Sequence, residues 1–386
     1  MKSVEDVLPV QRFRAIVIPA LAIAVAGVCA WVYQIVVGMD ATGMSDANPW
    51  GLYLMSFMFT VGIAVGALAV ATVPRLWGSS AFAGLSKLGA WVAVCAAILS
   101  IGLVTIDLGS PLRVWELFVY SNFTSPLMWD IFVLPVFLIA AVLYLVTLVR
   151  AEAGKASGRS VKIVAGVALV AAIALCVVDA WIFGLLPGRA LWNTALLVPW
   201  FAVSAVVSGL AVIMVLVYLL KDSDALALPA DALNRMGRVL AVALLADLLC
   251  LLGDVMVGSH GSGLHADAMN VLFSGALAPV FWIEVAAAAV AIVLLLARKA
   301  PYAIAAAAIL ALFSVFCKRI QFMISGFLDT QAPYPGIETA GLVNTMPLAT
   351  PMYIPSFVEL GVTVAVLSLG VALIVIGLRK LPLFVR

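Results

Sequence analysis

Ten runs of roughly twenty apolar residues, joined by short polar connections, constrain this chain more than any other feature. A helix crossing the hydrocarbon core of a bilayer needs about twenty such residues, because each rises about 1.5 Å and every backbone amide must be bonded within the helix. The runs fall at about 15–37, 50–73, 87–106, 126–149, 162–184, 194–220, 237–257, 270–297, 301–324 and 355–378. Of the 386 residues 66% are hydrophobic and only 10% are charged, whereas a soluble domain carries about a quarter charged residues. Lipid must therefore be the solvent for most of this side-chain surface. The fold class is all-α and polytopic, one integral membrane domain of ten helices over residues 1–386. The first run is not followed by a small-residue cleavage site and reads as a retained helix. A net charge of +2 leaves no electrostatic footprint for nucleic acid.

Orientation follows from lysine and arginine. All of the 21 except Arg113, Arg189, Lys318 and Arg319 fall on the side of the N-terminus. Both termini are therefore expected in the cytoplasm, which an even number of crossings permits. The loops on that side are short or basic, such as "VRAEAGKASGRSVK". Those on the other side are longer, aromatic and acidic: "GMDATGMSDANPWG", "DLGSPLRVWELFVYSNFTSPLMWD", "GSHGSGLHADAMN" and the stretch before the tenth run. A ligand or partner is expected on that outer face.

Ionisable residues inside apolar runs are costly and point to function. Here they are Asp107, Asp130, Asp179, Asp247, Asp254, Glu284, Lys318, Arg319 and Glu359. Asp107, Asp130, Asp179 and Glu359 fall within a turn or two of the outer surface, where interfacial solvation or pairing also accounts for them. Asp247, Glu284 and Arg319 are deeper. Asp247 and Asp254, seven residues apart, share one helix face. These acids and bases fit a structural salt-bridge cluster, and equally stations for protons or a charged wall of a ligand pocket.

The five cysteines show no CxxC spacing, which argues against an iron–sulfur cluster or a zinc site. Only two histidines exist, His260 and His265, both in the glycine-rich loop after the seventh run, so a haem held between helices is excluded. Gly62 and Gly66 form a small-xxx-small pattern that close helix packing explains.

In order and spacing, "NPWGLYLMSFMFTVGIAVGA", "DLGSPLRVWELFVYSNFTSPLMWD", "FSGALAPVFWIEV", "KRIQFMISGF" and "YIPSFVELGV" resemble the NrfD/PsrC family over about residues 48–380. These are the quinone-reactive membrane subunits of polysulfide reductase and related respiratory complexes. Ten helices make the chain similar to the branch that includes the hydrogenase subunit HybB and subunits of alternative complex III. The resemblance implies two four-helix bundles, at about 50–184 and 194–324, flanked by helices 15–37 and 355–378. It implies menaquinone or ubiquinone as cofactor, with no haem or metal in this chain. It also implies an extracytoplasmic ferredoxin-like four-cluster iron–sulfur subunit and a catalytic subunit of the molybdopterin oxidoreductase or hydrogenase type. The chain would then lie in the cytoplasmic membrane of the cell, with these partners outside.

Carried over to this sequence, the resemblance assigns quinone binding to Asp46, Asn48, Trp50, Tyr53, Asp107, Arg113, Trp115 and Trp129, with His260 as a further proton acceptor. Some relatives carry a histidine at the lip before the second helix, and this chain has none before His260. A proton route would use Asp130, Asp247, Asp254, Glu284, Arg319 and Glu359. The competing class is an ion-coupled secondary transporter with a charged midplane site, although no inverted repeat accompanies it. A passive anchor is the third reading.

Overall fold

The computed structural model describes residues 9–45, 48–79, 82–186, 189, 191–221, 226, 228–229, 231–260, 269, 272–297, 300–328 and 353–384. Within them lie ten helices long and apolar enough to span a membrane. They are α1 (Val10–Val37), α2 (Leu52–Leu76), α3 (Leu85–Asp107), α4 (Pro126–Glu152), α5 (Gly158–Gly184), α6 (Leu197–Leu220), α7 (Ala232–His260), α8 (Ala278–Leu296), α9 (Pro301–Leu328) and α10 (Phe357–Lys380). Their starts carry local signals. Ser157 accepts from the Ser160 N–H ahead of α5, and Ser356 forms a capping box with Glu359 at α10. Proline occupies the first turn of α4 and of α8.

Several boundaries differ from the hydropathy reading by four residues or more, among them the start of α1 at Val10. Helix α8 begins at Ala278 rather than near 270, after a turn in which the Ala278 N–H bonds the Gly275 carbonyl. Helix α7 starts earlier, at Ala232, because its first turn extends beyond the apolar run with Asn234 and Arg235 exposed.

Helices α2 to α5 pack in cyclic order as one four-helix bundle and α6 to α9 as a second. Helix α2 also packs on α6 and α9, so it is the seam of the molecule. Its central window is 78% buried, against 17% for α1. Helices α1 and α10 pair outside the first bundle, and α10 rests on α3.

Because lipid tails are as apolar as leucine, association relies on close contact between small residues. A Cβ on Gly66 would lie 1.8 Å from the Ala205 carbonyl oxygen, and one on Gly209 would lie 2.1 Å from the Ala67 nitrogen. The backbones of α2 and α6 therefore touch. A Cβ on Gly27 of α1 would stand 1.9 Å from the Ala365 Cβ of α10. The turn after α3 uses Gly109 at φ +65°, a left-handed conformation that favours glycine.

One end of the molecule is tied by Lys87, a buried cation at the start of α3. Its Nζ bonds Glu152 of α4 at 2.7 Å and the carbonyls of Pro382 and Phe384 after α10. Arg379 of α10 lies over the Phe13 ring of α1 at the same end. The opposite end carries the lip described next.

Gly66→Val is expected to cost about 3 kcal/mol or more, since it meets backbone rather than a movable side chain. Gly102→Ala, with nothing within 4 Å of the added carbon, should leave the melting temperature of the purified chain unchanged.

Candidate functional site

The lip forms where α1, α2, α3 and α10 end together. Glu359, fully buried in the first turn of α10, accepts from the Gly43 N–H at 2.6 Å, the Tyr353 hydroxyl at 2.6 Å and the Ser356 N–H at 3.0 Å. Tyr353 in turn accepts from the Leu52 N–H at 2.7 Å, which fastens the start of α2 to the start of α10. Burial, and then the bond to Glu359, push the Tyr353 phenol far above its ordinary range, so it remains a proton donor to that carboxylate. A Cβ on Gly51 would lie 2.5 Å from Glu359 Oε1, so only glycine admits this carboxylate.

Tyr53, wholly buried one turn further, donates its hydroxyl to Gln34 Oε1 of α1 at 2.6 Å. Asp107, the last residue of α3, is close enough to Glu359 for the two carboxylates to repel and acts electrostatically on Tyr53 as well. Its Oδ1 is buried and has no hydrogen-bond partner. A cavity of about 430 Å³ begins at the next residue, Leu108, and is lined by Val114, Leu117 and Met128 together with the polar Ser110, Glu116 and Tyr120. Ligand sites span about 300–1,000 Å³.

The other expected site residues divide. Asn48 is buried beside Trp50, and Trp50 stacks on Trp192 at 5.9 Å and meets Phe183 edge-on at 5.6 Å. Arg113 lines the cavity, but its guanidinium is exposed and bonded through two nitrogens to Glu116, whose carboxyl it holds below the usual range. Trp115 is exposed in the same connection. Trp129 donates to the Phe123 carbonyl at 2.7 Å and meets Trp181 edge-on. His260 ends α7 in the second bundle, exposed, with Nδ1 at 2.9 Å from the Met256 carbonyl oxygen. Asp46 lies outside the described residues.

A second set of ionisable groups is buried across the two bundles. Lys318 of α9 is paired with Asp247 of α7 and lies over the Trp200 ring. Arg319, the next residue, lies 4.0 Å over the Phe201 ring and donates to Ser204 Oγ at 2.7 Å. The guanidinium lies at the seam, where a Cβ on Gly62 of α2 would be 3.8 Å from its terminal nitrogen, an ordinary van der Waals contact. Gly62 thus borders the charge with room for a Cβ, while Gly66 provides the backbone contact.

Asp179 of α5 attracts Arg319 and is repelled by Asp130 of α4. Each of these acids has a buried Oδ1 without a partner. Glu284 of α8 is fully buried with neither carboxylate oxygen bonded, while its backbone carbonyl accepts from Ser314. Asp254 is half-buried and lines a separate cavity of about 260 Å³ with Asn193 and Thr194. Glu359, expected among the proton-carrying acids, belongs to the lip.

Gln34, Tyr353 and Ser204 were not among the expected site residues. Gln34 carried a signal, an amide inside the first apolar run. Tyr353 carried none, since its bond to Leu52 joins positions 301 residues apart. Among the described residues, no three His, Cys, Asp or Glu side chains gather as a metal site.

The family model described as "Polysulphide reductase, NrfD" matches residues 40–330. The chain is 30% identical to a putative dimethyl sulfoxide reductase membrane subunit of Halobacterium salinarum, covering 93% of this chain and 89% of that protein. It is 23% identical to the Hdr-like menaquinol oxidoreductase integral membrane subunit of Archaeoglobus fulgidus, over 96% and 94% of the two chains. It is 22% identical to a selenate reductase subunit of Mesobacillus selenatarsenatis, over 94% and 92%. The chain belongs to the NrfD polysulphide reductase family and is a multi-pass integral membrane protein.

Asp247→Ala leaves Lys318 buried without its carboxylate and should cost about 3–5 kcal/mol. Adding Lys318→Met should recover most of that loss, measured as the melting temperature in detergent.

Proposed function

We propose that this chain is the quinone-reactive membrane subunit of a respiratory oxidoreductase complex, and that the quinone is held at the lip. The observation that carries the reading is Asp107: a shielded carboxylate oxygen without a partner, within electrostatic reach of Tyr53 and Glu359, one residue from a cavity of ligand size. These groups fit a quinone, which needs an apolar slot and a hydrogen-bonding group at each oxygen.

When bound and oxidised, a quinol supplies two electrons and two protons. Asp107 Oδ1 accepts a hydrogen bond and then a proton. The Tyr53 hydroxyl has lone pairs left while it donates to Gln34, so it can orient the second oxygen. Glu359 already has three donors and acts as a positioning residue, holding Gly43, Tyr353 and the start of α2. Asn48 and Trp50 close the side of the lip toward α5, and Arg113 and Trp115 cover it from the connection between α3 and α4.

The remaining parts of the proposal have separate supports. A relative named for menaquinol favours menaquinone over ubiquinone. Relatives named for dimethyl sulfoxide and selenate reductases favour a molybdopterin-type catalytic subunit, reached through an iron–sulfur subunit. The distribution of lysine and arginine favours cytoplasmic termini in the cell membrane, with the lip and partners outside. The succession Asp130, Asp179, Arg319, Asp247 and Glu284 supports a proton route through both bundles, with Asp254 at its outer end.

Asp107→Asn and Tyr53→Phe should each lower quinol-dependent turnover of the assembled complex by about tenfold or more. Trp129→Phe should leave it unchanged. A passive anchor predicts no effect from any of the three. Glu284→Gln should lower the proton-to-electron ratio in reconstituted vesicles while quinol turnover persists, and an unchanged ratio would remove the proton route from the proposal.

A further inference from the structure

A third depression lies at the opposite end from the lip, along the seam of the two bundles. It is a groove of about 190 Å³ between the end of α2, the start of α3, α6 and the start of α7. Its floor is Leu85, Leu210 and Met236, each buried; its rim is Val73 and Val239, both exposed. The groove starts where α2 and α6 part: Val73 lies two turns beyond Gly66, and Leu210 follows Gly209. Among the described residues, Arg235 is the only polar one that lines it.

The mouth is basic. Arg235 donates through Nε to Asp231 at 2.7 Å, which leaves the two terminal nitrogens of a half-exposed guanidinium for another anion. Arg238, exposed one turn on, also acts on Asp231. Arg75, next to Pro74 of the groove wall, is committed to Ser86 Oγ and the Ala83 carbonyl, and so holds the loop that closes one side. Among the described residues named at this mouth, two arginines face the one carboxylate of Asp231.

We infer that this groove binds one acidic phospholipid, with an acyl chain on the Leu85–Leu210–Met236 floor and the phosphate on Arg235 and Arg238. A groove opening sideways from a membrane-spanning bundle faces lipid, and a cationic mouth over an apolar floor complements an anionic headgroup on an acyl chain. A quinone ring lacks the charge for Arg235, and no neutral hydrogen-bonding side chain among the described residues lines the groove. The bound chain would fill the wedge between α2 and α6 and stiffen the seam.

The test uses the full chain in nanodiscs of phosphatidylcholine with or without phosphatidylglycerol, released for native mass spectrometry. One phosphatidylglycerol is expected to stay bound. Its retention should fall about fivefold in Arg235→Gln and about fivefold again in Arg235→Gln/Arg238→Gln. Val239→Trp, which crowds the rim with both arginines kept, should also remove it. Asp231→Asn deletes the competing carboxylate and should increase retention, an outcome that misfolding cannot produce. Equal retention of phosphatidylcholine, or phosphatidylglycerol retention unchanged in the double variant, would overturn the inference.

Discussion

The backbone contact of α2 with α6, made at Gly66 and Gly209, is the interaction on which the rest of the arrangement depends. In lipid there is little hydrophobic gain from bringing two apolar helices together, so the contact must come from shape. Removing two side chains lets the helix axes approach until backbone meets backbone. That approach joins the two four-helix bundles, and it also determines what lies on either side of the crossing. Toward the lip, the Arg319 guanidinium lies beside Gly62, and Trp50 stacks on Trp192. In the other direction α2 and α6 separate into the apolar groove.

Charge in such a seam is tolerated only with specific company. Lys318 and Arg319 are neighbours on α9, yet they face different partners: Lys318 the carboxylate of Asp247, and Arg319 a hydroxyl, an aromatic face and the field of Asp179. The lip solves the same problem differently, with three donors on one carboxylate. Asp107 and Glu284 lack such satisfaction: one oxygen of the former and both of the latter have no partner. An enclosed acceptor without a donor costs free energy, a condition that Asp130 and Asp179 share through one oxygen each. Asp107 stands at the lip and Glu284 in the second bundle, so the proposed quinone binding and the proposed proton movement can be tested separately.

Much of this was legible in the sequence because the bilayer is a ruler. Ten apolar runs of spanning length became ten helices, and their edges moved mainly where Gly275 and Pro279 delay α8 or where α7 extends past its apolar run. The acids read as deep, Asp247 and Glu284, are buried, and the tyrosine and aspartate ascribed to the site, Tyr53 and Asp107, come to one lip. What a single sequence does not carry is long-range pairing. Nothing near Leu52 announces Tyr353, nothing near Gly43 announces Glu359, and Arg319 alone does not reveal that Ser204 and the Phe201 ring receive it. The side chains of Trp129 in α4 and His260 at the end of α7 are engaged with the carbonyls of Phe123 and Met256, bonds that the sequence alone does not announce.

The central claim is that quinone sits at the lip between α1, α2, α3 and α10. Photoaffinity labelling of the assembled complex with an azido-quinone, followed by peptide mapping, tests it most directly. The account predicts label within residues 34–53, 107–128 and 353–359, lost when excess quinone competes. Competable label confined to α7 or α8, with none on those three stretches, would contradict it.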